Sequence, residues 1–130
     1  MDFIMTNLFA INGGIELVAG IAALISPTAM PMWRLCGDRG QEAVRWWGLA
    51  IVALGVASLL MRNAPDEEES KAAFAVGMMV YHAIISFFVA ARFPEPQFVG
   101  GILHIALFFL FHAWVRNYHT SVAAVVVQSY

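Results

Sequence analysis

Apolar residues along this chain fall into four long runs, separated by short stretches rich in proline, glycine and charge. Within each run the polar residues recur at helical rather than strand spacing, which predicts helices over 3–25, 41–62, 66–92 and 100–118. The first stops at Ser26-Pro27, where proline removes a donor and crowds the preceding turn. Thr28 to Gly40 carries Pro31, Trp33, Arg34, Asp38 and Arg39 between glycines and reads as a loop at a membrane surface. Asn63-Ala64-Pro65 closes the second helix. Asp66 and Glu69 then form a capping-box pattern, with Glu67 and Lys71 as a favourable i,i+4 pair. Phe93-Pro94-Glu95-Pro96-Gln97 is a short rigid turn. The tail, Thr120 to Tyr130, suits either an extension of the fourth helix or a surface segment. The expected fold is all-α: one domain, 1–130, with four transmembrane helices in an up-down bundle.

The first run holds the most informative residues. At about 100° per residue, Asn12, Gly13, Glu16, Gly20 and Ala23 share roughly a quarter to a third of the helix circumference, and the remainder is Ile, Leu, Val and Phe. A small, polar face of that kind points at other helices, not at lipid. In the second run Gly48, Gly55 and Arg62 recur every seven residues and form one stripe, where the two glycines admit a close neighbour. Trp46-Trp47 at its start, and Trp33 and Trp114 elsewhere, read as interfacial anchors.

Composition supports the membrane reading: 61% of the 130 residues are hydrophobic and 12% charged. A domain of this size cannot hide so much apolar surface from water. The net charge of −2 and the scattered basic residues leave no nucleic-acid footprint. A single cysteine, Cys36, excludes an internal disulfide and any Cys-x-x-Cys site. The first run lacks a basic leader and is interrupted by Glu16, so it is expected to be retained as an anchor. Arg34, Arg39, Arg45 and Arg92 on one side, against Arg62, Lys71 and Arg116 on the other, tilt the first side slightly towards the cytoplasm.

Helix rise gives depth. Counted from the side bearing the first and third loops, Glu16 and His82 lie roughly 15 Å deep and His112 roughly 18 Å. His104 and Arg45 form a shallower layer. This predicts a polar chamber near the midplane, with Glu16, His82 and His112 as catalytic candidates. Asn12, Tyr81, Ser86, His104 and Phe108 are the substrate-binding candidates. A desolvated carboxyl can hold a proton while a neighbouring imidazole accepts one, which is acid–base chemistry suited to an apolar substrate entering from lipid. The competing role for Glu16 is a carboxyl that ties the first helix to its neighbours through Asn12, and for each histidine a packed, hydrogen-bonded core residue. No metal and no cofactor are expected. Haem held by His82 and His112 is the weaker reading, since no attachment motif is present. Phosphate-binding glycine loops and Gly-x-Ser-x-Gly are absent.

Arg45-x-x-Gly48, the arginine at Arg62 and a third helix with a polar centre resemble small DoxX-like four-helix membrane proteins. The same features are similar to the ergosterol-biosynthesis scaffold family. That likeness implies a non-catalytic tether for membrane enzymes, although the family's acidic residue in the third helix is replaced here by His82-Ala83-Ile84-Ile85-Ser86. A lone carboxylate in the middle of the first of four short helices is similar to small multidrug exporters and would imply a proton-coupled dimer. The leading expectation is an integral membrane protein that binds a lipid-like or isoprenoid-like molecule and acts as an isomerase or cyclase. The scaffold comes second and the exporter third. A homodimer or a membrane enzyme is the expected protein partner.

Overall fold

The computed structural model describes residues 2–29, 37–90 and 98–128, and these are helical throughout apart from short connections. The four long helices among them are α1 (Asp2–Ile25), α2 (Asp38–Arg62), α3 (Glu69–Ala90) and α4 (Phe98–Gln128), with a 3₁₀ turn at Pro27–Ala29. Three are long and apolar enough to cross a membrane: Phe3–Ile25, Asp38–Arg62 and Glu69–Phe87. Phe3, Val18, Ile25, Leu60, Phe87 and Phe109 all face outward, which suits lipid rather than water. The surface-loop residues 30–36, including Trp33, Arg34 and Cys36, lie outside the described residues, as do Arg92 and the Pro94–Pro96 turn.

Three helix limits differ from the sequence expectation, each for a local reason. α2 starts at Asp38, ahead of Gln41: the Gly37 carbonyl accepts the Gln41 amide at 3.0 Å, and an aspartate suits the positive end of a helix. α3 starts at Glu69, not Asp66, because the Glu68 amide donates to the Pro65 carbonyl at 3.2 Å and closes a turn first. α4 begins at Phe98 and takes in the tail as far as Gln128, well past 118. Nothing after Gly101 breaks a helix, and Thr120 and Ser121 donate back to the Asn117 carbonyl at 2.8 and 3.0 Å.

Contacts divide the chain into two compact units: Phe9–Arg62, and Met1–Leu8 with Asn63–Tyr130. In the first, the buried residues of α2 are Val44, Gly48, Ile51, Gly55 and Ser58, spaced alternately by four and three. Phe9, Gly13, Glu16, Gly20 and Ala23 repeat that spacing on α1 and are also buried. Two seams of period 3.5 therefore meet, antiparallel. A Cβ on Gly13 would stand 2.8 Å from the Gly55 carbonyl oxygen, and one on Gly55 3.0 Å from that of Gly13. Gly20 and Gly48 repeat the relation at 2.8 and 2.9 Å. Only glycine permits this approach, and the return is continuous backbone contact. The seam is fastened by a short relay in which Asn12 donates to the Ser58 hydroxyl at 3.2 Å and Ser58 donates to the Phe9 carbonyl at 2.9 Å.

The second unit packs α3 against α4 through large side chains. Ala75, Met78 and His82 on α3 and Leu107, Phe111 and Trp114 on α4 are buried. Trp114 is thus a core residue rather than the interfacial anchor expected, and it stacks on Tyr118 at 5.9 Å. At the start of α3, Lys71 is 4% exposed and spends its ammonium on the Ala64 carbonyl and the Asp66 carboxylate, both at 2.6 Å.

Candidate functional site: a buried imidazole pair

His82 sits on the seam of α3 three residues past the Met78–Met79 pair, at the position where the period of 3.5 brings a side chain to face α4. It has no exposed surface. Its Nδ1 lies 2.8 Å from Nδ1 of His104, which is half-buried on the first turns of α4. Phe111 stacks on the His82 ring at 5.8 Å, and Tyr81 meets both imidazoles edge-on at 5.0 and 5.9 Å. The Ser86 hydroxyl donates to the His82 carbonyl at 2.7 Å, one turn back, which anchors the backbone under the ring.

That contact fixes the tautomers. For two Nδ1 atoms to share a hydrogen bond, one ring must carry the proton there and the other must not. In the neutral pair, the donor ring then has a bare Nε2 and the acceptor ring an Nε2–H. One outer nitrogen is a base and the other an acid. A proton taken up at the first Nε2, handed across the Nδ1···Nδ1 bond and released from the second leaves the pair neutral with the roles exchanged.

The structure sorts the sequence candidates differently from the depth argument. That argument set His82 beside His112 and left His104 higher up. The Nδ1···Nδ1 contact of 2.8 Å brings His104, not His112, to the level of His82. His112 stands about 12 Å farther along α4 and about 80° around it, exposed, stacked on Phe108 at 6.2 Å. His112, Arg116 and His119 line a shallow groove of about 470 Å³ on the surface of this unit. Tyr81 and Ser86 do lie beside His82. Glu16, 2% exposed, and Asn12, fully buried, belong to the α1–α2 unit.

One residue that matters to the packing around these groups escaped the sequence reading. Ser58, the partner of Asn12, falls three residues after Gly55 on the stripe begun by Gly48, so the spacing that exposed the glycines also held the signal for it. Phe111, stacked on His82, follows His104 by seven residues on the same side of the fourth helix, as the spacing of that helix implies. Comparison with protein-family models, with curated proteins and with solved structures finds no match.

Proposed function

We propose that this chain is an integral membrane protein of four spanning helices, arranged up and down, with a bifunctional acid–base site in its α3–α4 unit. Its substrate is a lipid-like or isoprenoid-like molecule, and its chemistry is isomerisation or cyclisation without a cofactor. The observation that carries this is the Nδ1···Nδ1 contact of 2.8 Å between His82, which is wholly buried, and His104. Moving a double bond needs a proton removed from one carbon and another delivered to a second carbon. A coupled imidazole pair supplies both groups in one step, and the exchange of tautomers carries the balancing proton. Water exclusion favours such a handover, because no solvent molecule competes for the shared proton. Glu16 keeps a role as a second proton-holding group on the strength of its burial in an apolar helix. The resemblance to DoxX-like proteins agrees with the four-helix architecture.

The scaffold alternative used the Gly48/Gly55 stripe as a face for a partner enzyme. That stripe is filled by α1, with the Gly13 and Gly20 carbonyls pressed against it. That packing favours the acid–base reading over the scaffold.

The test is native mass spectrometry of protein extracted gently from its own membrane, before and after incubation in deuterated water. The expected wild-type result is one discrete hydrophobic adduct that gains deuterium on carbon. His104→Gln should remain folded and keep the adduct but lose the exchange. An adduct that never gains deuterium in the wild type, or gains it equally in folded His104→Gln, would refute the acid–base role.

A further inference from the structure

We infer that the end of the hairpin where α3 begins holds a second site, a groove for an organic ammonium group. The groove has a volume of about 570 Å³ and is bounded by Trp114, Tyr118, Asn117, Asp66 and Glu67, with the first turns of α1 closing one side. That size suits a small molecule or a lipid headgroup. Its chemistry converges on one ligand class. The indole of Trp114 and the phenol ring of Tyr118 lie nearly parallel, 10° apart, at centroids 5.9 Å from each other, and give the groove a continuous π-rich wall. Trp114 is buried and Tyr118 half-buried, so the wall is held by the core and does not have to form on binding. Two carboxylates complete the lining, and no Lys, Arg or His is among the described residues that bound it. Aromatic faces joined to carboxylates attract a cation and repel an anion.

The charge arithmetic rests on a difference from the sequence expectation. Sequence spacing pairs Glu67 with Lys71; in the structure Lys71 turns to Asp66 and to the Ala64 carbonyl instead. Asp66 is thereby compensated. Glu67 is left exposed at the rim with no basic partner among the described residues, and it is the group that an incoming ammonium would neutralise. Asn117 and Ser121 add amide and hydroxyl oxygens on the α4 side, suited to a primary amine or to the polar atoms beside a quaternary one.

The ammonium group can belong to a soluble amine or to a lipid headgroup, and one experiment separates them. Calorimetric titration of the full chain in detergent with choline, tetramethylammonium and neutral 3,3-dimethylbutan-1-ol should show binding of the two cations and not of the alcohol. Glu67→Gln should weaken tetramethylammonium about tenfold, one step of 1.4 kcal/mol. Glu42→Gln, which removes the same charge from α2, should leave it unchanged. Native mass spectrometry with phosphatidylcholine and phosphatidylglycerol then assigns the source. A phosphatidylcholine adduct lost selectively in Glu67→Gln makes it a headgroup site, and binding of the free cations alone makes it a soluble-amine site. Equal binding of choline and its neutral isostere would overturn the assignment. So would a Glu67→Gln response no larger than that of Glu42→Gln.

Discussion

At the closest points of the α1–α2 seam glycine faces glycine, Gly13 against Gly55 and Gly20 against Gly48, with carbonyl oxygens set where a Cβ would have to go. Across the α3–α4 seam, at the same alternation of four and three, the facing residues are Met78, His82, Leu107 and Phe111. The repeat is shared and the side-chain volume is opposite. Small residues bring backbones together and leave room only for short polar links such as Asn12–Ser58. Large residues fill the second seam with side chains, and two imidazoles and a phenyl ring stack among them. The first seam is built from backbone contact and the second from side-chain packing, so the two should respond differently to the same kind of substitution.

Bulk added to the glycine seam should have the largest effect. Gly20→Val places atoms against the Gly48 carbonyl and Val52, and is expected to cost about 3 kcal/mol, near the top of the usual overpacking range. Gly14→Ala on the same helix meets nothing within 4 Å and should cost nothing or gain a few tenths of a kcal/mol, roughly. Denaturant unfolding in micelles, followed by circular dichroism, distinguishes them; equal responses would dissolve the contrast between faces. Next comes the imidazole pair. His82→Leu strands the His104 nitrogen and should cost about 2 kcal/mol, while adding His104→Leu should cost clearly less than a second such penalty. Additive losses in that double-mutant cycle would mean the two rings are not coupled.

Ser58→Ala, which cuts the relay on the glycine seam, should cost only about 0.6–1 kcal/mol, the usual size of a side-chain hydrogen bond between membrane helices. The smallest effect belongs to Asp66→Asn. The Asp66 side chain is 71% exposed, so its bridge to Lys71 is worth about 0.5 kcal/mol, and about 1 M salt should erase the difference between variant and wild type. A loss above about 2 kcal/mol would show that Asp66 does more than compensate Lys71.

The helices were legible because their signals are local: apolar runs closed by Pro27 and Pro65, and glycines repeated at seven. Where each helix begins depends on single hydrogen bonds, such as Glu68 to Pro65, that no hydropathy pattern carries. The histidines stood out as candidates for the same reason that Glu16 did, being ionisable residues in apolar segments. Which histidine meets His82 was decided by rotation about α4, which a count of depth leaves out. Counting depth alone selected His112; counting phase from Leu107, Phe111 and Trp114 selects His104. The pairing of Lys71 turned on a similar local choice, since Asp66 lies in the turn preceding α3 and i,i+4 arithmetic applies only within a helix.

The handover between the two rings spans 2.8 Å from one Nδ1 to the other. With α3 and α4 crossing a bilayer, as proposed, that hop covers at most about a tenth of a hydrocarbon core roughly 30 Å thick, whatever its direction. A transmembrane voltage does about 2.3 kcal/mol of work per charge per 100 mV over a full crossing, so it biases this step by no more than about 0.2 kcal/mol. The membrane potential has little hold on the exchange, which suits a site that rearranges a molecule where it lies.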